Sequence, residues 1–299
     1  MDIGDYVVRK SYEKDITFKI IDKRVNEDGK EVFVLKGTNL RIIADSPIDD
    51  LEEVKPDYSG EKDIVFNNAV NDTIRKIVAY RGGGEDIEPV KRKRAHKSPH
   101  RLISDGNKND LVFGRPGKIL HIDGDPVYLD NCLKVYKQLS LNAVGFAVKE
   151  REQPSKVIEL VKEVKPDIVV LTGHDGMAKD IKDYMDVNNY RNSKFFIEAV
   201  TELRNYNSSY DELVIFAGAC QSCYEKILDA GANFASSPNR VLIHCLDPVF
   251  ICEKIAYTNI EKVLTIHEIL ENTITGIKGV GGLQTRGKYR EGYPKSPYA

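Results

Sequence analysis

No stretch of this chain approaches the ~20 consecutive apolar residues that a membrane-crossing helix needs, so no helical membrane span is expected. An excess of basic charge is missing too. Lys and Arg number 44 against 46 Asp and Glu, a formal net charge of −2, so no global field recruits nucleic acid. The opening Met1-Asp2-Ile3-Gly4-Asp5 has neither a basic region nor an apolar core, and is not read as a secretory signal. Cysteine is scarce, five in 299 residues. Without an export signal the expectation is reduced thiols in a cytoplasmic protein. Tryptophan is absent altogether, which excludes nothing. What remains is 41% hydrophobic and 30% charged, the make-up of a soluble globular protein with a core, of a length that suggests two domains.

Residues 1–55 read as a small β domain. Tyr6-Val7-Val8, Ile16 to Ile21, and Glu31-Val32-Phe33-Val34-Leu35-Lys36-Gly37 are short strands. Asn26-Glu27-Asp28-Gly29-Lys30 is a hairpin turn whose Asp-Gly supplies the residue able to take positive φ. Arg41-Ile42-Ile43-Ala44 is a further candidate strand. A small SH3-like β-barrel is expected, as a structural or docking module. Residues 56–115 hold a helix over 61–80 and then Gly82-Gly83-Gly84 with the basic run Lys91-Arg92-Lys93-Arg94-Ala95-His96-Lys97. Adjacent glycines followed by like charges read as a solvated linker. The run has no aromatic interleaving, so nucleic acid is not the expected partner.

Residues 116–299 alternate strand and helix. Strands are expected at Ile119 to Asp123, 143–148, Ile168-Val169-Val170-Leu171, Leu213 to Ala217 and Val241-Leu242-Ile243-His244-Cys245. Helices are expected over 128–139, 154–164, 194–203, 224–230, 249–256 and 266–272. Continuously apolar strands alternating with helices imply a three-layer α/β fold with a mostly parallel sheet, flavodoxin-like or caspase-like. Gly231 suits a left-handed helix cap. Gly279-Val280-Gly281-Gly282-Leu283 reads as a flexible loop.

The chemistry is expected where the strands end. The third strand runs into Thr172-Gly173-His174-Asp175-Gly176 and the fourth into Gly218-Ala219-Cys220-Gln221. If those strands are neighbours, His174 and Cys220 sit side by side as imidazole base and thiolate nucleophile. Cys220 at the start of a helix would have its thiolate favoured by the helix dipole. The backbone N–H groups of Cys220 and Gly176 are candidate oxyanion donors. The alternative is that Cys220 is a small buried residue beneath a turn and His174 a turn histidine.

Two other classes compete. A receiver-like binding module would explain the first strand with its Asp123 and Asp125, but Thr172 stands where a phospho-acceptor aspartate belongs. Asp123 and Asp125 could hold a divalent cation, although capping and turn chemistry is the commoner use of such a pair. Cys220-Gln221-Ser222-Cys223 has C-x-x-C spacing, which allows redox chemistry, or zinc if His244 and Cys245 join it. Cys132 and Cys252 fall at apolar helical positions and read as core. His244 reads as structural, and His96, His100 and His267 have no constellation around them. No metal or cofactor is called for.

The His-Asp-Gly and Ala-Cys strand ends resemble the caspase, gingipain and clostripain group of cysteine peptidases. The 46 positions from His174 to Cys220 are close to the roughly 50 of caspases. Asp175 stands between the histidine and the glycine, and Gln221 replaces the caspase Arg-Gly, so aspartate specificity is not implied. A second resemblance spans nearly the whole chain. Gly4-Asp5-Tyr6-Val7-Val8-Arg9, Gly114-Arg115-Pro116-Gly117-Lys118-Ile119-Leu120-His121-Ile122-Asp123-Gly124-Asp125 and Gly281-Gly282-Leu283-Gln284-Thr285-Arg286-Gly287 are similar to the YabG family of sporulation proteases. That likeness implies a cysteine peptidase of the mother-cell cytoplasm, associated with the spore coat, cutting coat and cortex-associated proteins after arginine, with His174 and Cys220 as the catalytic pair. An arginine pocket needs a buried acid, for which Asp175 and Asp247 are the candidates. Self-cleavage near Arg92, Arg94 or Arg101 is a further expectation, and a homo-oligomer stays open.

Overall fold

The computed structural model describes residues 1–25, 29–56, 58–82, 112–178 and 181–296. The tip of the expected hairpin turn (residues 26–28) and the basic run, with His96, His100, Arg92, Arg94 and Arg101, lie outside the described residues.

Five strands form the first sheet: β1 (Tyr6–Arg9), β2 (Thr17–Val25), β3 (Glu31–Gly37), β4 (Ile43–Pro47) and β5 (Leu51–Val54). All neighbours are antiparallel, in the order β4-β3-β2-β1-β5. The period of two puts Phe18 and Ile20 of β2 on the same face as Phe33 and Leu35 of β3, where they bury with Val7 and Leu51. The expected SH3-like barrel is not closed. Among the described residues β4 and β5 are the two edges, joined by a 3-10 turn at Ile48–Asp50 and not by pairing. The candidate strand at 41–44 starts two residues later than expected. Arg41 and Ile42 belong to the loop between β3 and β4.

Helix α1 (Glu61–Gly82) ties this sheet to the rest of the chain. The Asp63 carboxylate accepts from the Thr17 N–H at 2.6 Å and from Asn39 Nδ2 at 2.9 Å. Two turns on, Val70 and Ile77 are buried in the larger core, the spacing of one helical stripe. The guanidinium of Arg81 meets the Glu253 carboxylate.

The remaining elements are β6 (Phe113–Arg115), β7 (Ile119–Asp123), α2 (Pro126–Gln138), β8 (Ala143–Ala147), α3 (Gln153–Val164), β9 (Ile168–Thr172), α4 (Ser193–Tyr206), β10 (Val214–Ala217), α5 (Tyr224–Asp229), β11 (Phe234–Ser236), α6 (Asp247–Ala256), β12 (Val263–Leu264), α7 (Ile266–Leu270), β13 (Val280–Gly282), β14 (Thr285–Arg286) and β15 (Arg290–Gly292). The central sheet has the order β13-β11-β10-β9-β7-β8, parallel except for β13. Alternate strand residues serve opposite layers. Ile119, Ile168, Val170, Val214 and Phe216 pack with α2 and α6. Leu120, Val169, Leu171 and Ile215 pack with α3 and α4. Both faces are covered, which is why these strands read as unbroken apolar runs. The strand order reverses between β7 and β9, and in such sheets ligand sites form beyond the strand ends at that point. No helix among the described residues is long and apolar enough to cross a membrane.

Two expectations give way. The fifth parallel strand is the three-residue β11 (Phe234–Ser236), not 241–245. The apolar run Val241-Leu242-Ile243 instead crosses the carboxyl ends of the strands, where the Ile243 N–H donates to the Cys220 sulfur at 3.2 Å. Its hydrophobicity covers a cleft and extends no ladder. The glycine-rich tail is also ordered: Val280, Gly281 and Gly282 pair with Ser236, Ala235 and Phe234. A β-carbon on Gly281 would meet the Tyr224 hydroxyl, and one on Gly282 the Asn233 carbonyl. These glycines permit close approach of an edge strand.

Candidate active site

Three adjacent strands end in step. Asp123 of β7 is level with Thr172 of β9, and Leu171 of β9 with Ala217 of β10. The loop after β9 carries His174 and the loop after β10 carries Cys220, so both leave the sheet at the same rim. Both line one cavity of about 530 Å³, together with Gly176, Gln221 and Tyr190.

The imidazole is held from several sides. His174 Nε2 lies 2.8 Å from Asp125 Oδ2. Its backbone N–H donates to Glu150 Oε1 at 2.7 Å, and its carbonyl accepts from Asn192 Nδ2 at 2.8 Å. Glu150 fits because Gly124 and Gly173 flank it; a β-carbon on either would run into its carboxylate. Asp125 is the N-cap of α2, accepting from the Val127 N–H at 2.9 Å. It also pairs with Lys36 Nζ at 2.5 Å, a residue of β3. Burial pushes the Asp125 carboxyl up, but hydrogen bonds from His174 and Lys36 outweigh it and hold the group well below the usual carboxylate range. An ionised Asp125 makes Nε2 the donor and leaves the lone pair on Nδ1. Among the described residues Nδ1 has no hydrogen-bond partner. Asp125, read from sequence as a cap or cation ligand, is the acid that orients His174.

Cys220 departs from expectation. It is only 2% exposed. Gly218 precedes it at φ +109° and turns the chain out of β10. α5 begins at Tyr224, past the cysteine, and has six residues, so no helix start lies at the sulfur. Burial pushes the thiol up to about 11, against weaker help from the Ile243 N–H. The sulfur makes no hydrogen bond to His174 among the described residues; its partners are the backbone N–H and carbonyl of Ile243. The sulfur is therefore a thiol in this arrangement and not the expected ion-paired thiolate. The Cys220 N–H has no partner among the described residues, whereas the Gly176 N–H donates to its neighbour Asp175 at 2.9 Å.

Asp175 braces the site. Its carboxylate accepts from Ser193 Oγ at 2.5 Å, Ser222 Oγ at 2.8 Å and the Asn192 N–H at 2.8 Å. Ser222 accepts in turn from the Ala219 N–H, and Ser193 from the Cys223 N–H. The histidine loop is thereby locked to the cysteine loop, and both Asp175 oxygens are committed within the chain. Asp247 is fully buried at the start of α6 and is not part of the cavity lining. Its Oδ1 accepts from the Ile274 N–H at 2.7 Å, and its Oδ2 has no partner among the described residues. Asp247 is thus off the cavity, whereas Asp175 lines it with both oxygens already accepting hydrogen bonds from the chain.

Burial pushes the Asp247 carboxyl up to about 6, against about 4 in an unfolded chain. Between those values the folded state binds more protons than the unfolded one. Stability from this group is therefore greatest below about pH 4 and falls as pH rises to 6, by about 2–3 kcal/mol. Asp247→Asn keeps the Oδ1 acceptor and removes the titration. The gap between variant and parent in urea midpoints is expected to widen in the variant's favour from pH 4 to 6; parallel curves would refute the assignment.

Beneath the rim lies a buried polar network. Arg41, from the β3–β4 loop, forms a fork with Asp123: Nη1 to Oδ1 at 3.0 Å and Nη2 to Oδ2 at 2.6 Å, both side chains fully covered. Thr172 Oγ1 donates to Asp123 Oδ2 at 2.8 Å and meets His121 Nε2 at 2.8 Å. Asp123 and Asp125 thus have side-chain cations, Arg41 and Lys36, where a metal was considered. Thr172, standing where a receiver's aspartate belongs, is bonded inward. His244 is buried, and burial followed by the charge of Arg41 pushes it down to about 4. The five cysteines are free, Cys223 turning toward the Tyr184 carbonyl. No group of three or more His, Cys, Asp or Glu among the described residues is arranged to hold a metal. Lys36 and Arg41 were invisible as site residues, since they reach it from 89 and 82 positions away. Asp125 had a signal: strands one and three are neighbours in a doubly wound order, so the end of one faces the end of the other.

A family model described as YabG peptidase U57 matches residues 2–294. The sporulation-specific protease YabG of Bacillus subtilis (strain 168) is 39% identical over 292 residues, covering 98% of this chain and 97% of that protein. No solved structure matches.

Proposed function

The chain belongs to the YabG peptidase family, and from that premise we propose that it is a cysteine endopeptidase with Cys220 as nucleophile, His174 as base and Asp125 as the group that orients the base. One observation carries the reading. His174 and Cys220 leave neighbouring parallel strands at one rim and line one cavity, with a carboxylate on the far nitrogen of the imidazole. A turn about the Cys220 Cα–Cβ bond frees the sulfur from the Ile243 N–H. Its proton passes to Nδ1 of His174 as the sulfur attacks the scissile carbonyl carbon. The C–N bond then breaks, the imidazole gives that proton to the leaving amine, and a thioester remains. Water loses a proton to His174 as its oxygen attacks the thioester. The C–S bond breaks, the proton returns to sulfur and the acid leaves. The Cys220 N–H is the first oxyanion donor, and the Gly176 N–H joins it once released by Asp175.

The substrates are proteins. Those proposed, on the likeness to a sporulation-specific protease, are coat and cortex-associated proteins of the spore, cut after arginine in the mother-cell cytoplasm or at the coat. Self-processing at Arg92, Arg94 or Arg101 belongs to the same proposal. The strand order and the placing of the pair suit a caspase-type peptidase. Peptides differing only in arginyl, lysyl or aspartyl at the cleaved bond test the specificity. Arginyl turnover is expected to exceed lysyl by at least about tenfold, because a planar fork matches a carboxylate where an ammonium does not. The aspartyl peptide is expected to stay intact; its preferred cleavage would refute the reading.

A further inference from the structure

The β3–β4 loop enters the cleft in the manner of a bound peptide. The Asn39 carbonyl accepts from the Cys245 N–H at 3.2 Å, and Leu40 bridges antiparallel to His244. Strand-like pairing with an exposed backbone edge is how many clefts hold an extended peptide. At the next residue the side chain of Arg41 runs down to the fork on Asp123. Arg41 and Ile42 line the same cavity as His174 and Cys220. Tyr128 anchors the loop by donating its hydroxyl to the Gly37 and Leu40 carbonyls at 2.6 and 2.7 Å. Arg41 Nε is buried with no partner among the described residues, so its seat on Asp123 is incomplete. A residue selected only for the core would leave fewer donors unmet.

We infer that Asp123 is the acid that reads a substrate's arginine, and that Arg41 of the N-terminal sheet occupies its place as an internal pseudo-substrate. This rests on the peptidase reading above and extends it: the N-terminal sheet holds the enzyme closed, and the loop carrying Arg41 must withdraw before an outside arginine enters. Two acids divide the work. Asp125 orients His174, and Asp123, two residues earlier at the end of β7, selects the side chain. The covered, unionised thiol of Cys220 is a consequence of the closed arrangement.

The test compares the full-length protein with Arg41→Ala, Arg41→Gln and Arg41→Ala/Asp123→Asn. Two readouts are taken: iodoacetamide alkylation of Cys220, located by peptide mass, and cleavage of arginyl and uncharged peptides, each with and without agmatine. In Arg41→Ala, Cys220 is expected to react at least tenfold faster than in the parent, and arginyl turnover to rise by a similar factor. Agmatine is expected to suppress both, and to do so far less in the parent. In the double variant agmatine loses its effect, and the KM for the arginyl peptide rises at least tenfold over Arg41→Ala and by a larger factor than the KM for uncharged peptides. A folded Arg41 variant with no gain in either readout would overturn the inference. So would undiminished arginine preference in the double variant, or unfolding of both single variants by circular dichroism. Alkylation does not depend on turnover, so the two readings fail separately. Faster alkylation with agmatine protection but no cleavage would sink the peptidase. Arginine-specific cleavage without those gains would sink the pseudo-substrate.

Discussion

Replacing Cys220 by alanine is expected to lower peptide cleavage by about 10³-fold or more, to the rate that binding alone sustains. The size follows from the absence of a substitute. Cys223 is the nearest thiol in sequence, but it is buried and turned to the Tyr184 carbonyl. Cys132 and Cys252 belong to α2 and α6 and point into the core, where burial raises both thiols, that of Cys252 to about 12. Ser222 Oγ is committed to Asp175. The alanine adds no volume and removes a sulfur whose bonds are weak contacts with the Ile243 backbone, so folding is expected to survive. Initial rates on an arginyl peptide, with thermal melting as the control for folding, decide it. Cleavage within tenfold of the parent in a folded Cys220→Ala protein would remove Cys220 from the chemistry.

The second large effect is expected at Asp125→Asn. Asparagine caps a helix about as well as aspartate, so the start of α2 is kept. What changes is the imidazole. An amide can donate to Nε2, which moves the ring proton to Nδ1 and removes the lone pair that must take the thiol proton. A loss in kcat of about 10²–10⁴-fold with little change in KM is expected, the range seen when an orienting carboxylate is neutralised. Lys36 also loses its anion at 2.5 Å, so Lys36→Met serves as the comparison. If Asp125 matters only for joining the two sheets, both variants should lose stability alike and the split between kcat and KM should not appear.

The pattern of the larger fold could be read because burial on both faces writes a plain signal. Ile168-Val169-Val170-Leu171 and Leu213 to Ala217 are apolar throughout for that reason, and the helices behind them carry single stripes such as Val157, Val161 and Val164. His174 and Cys220 stood out because each interrupts the small residues that follow such a run. The same signal misled at Val241-Leu242-Ile243, a run as apolar as a strand that roofs a cleft instead and buries only Ile243 fully. β11 has three residues and β13 two glycines among its three, too little pattern to distinguish from a loop. The acid partners were the hardest to read. Asp175 adjoins the histidine but faces serines, whereas Asp123 and Asp125 lie about 50 positions earlier and reach the site through strand order. Arg41 heads the short apolar run Ile42-Ile43-Ala44, and nothing local says that its side chain points inward.

The most direct test of the account is covalent. An arginyl acyloxymethyl ketone is incubated with the parent, Cys220→Ala and His174→Ala, and adducts are located by peptide mass. The account predicts one adduct, on Cys220, absent from Cys220→Ala and at least tenfold slower to form in His174→Ala. An adduct on another residue of the active parent, or parental labelling rates in the histidine variant, would contradict it.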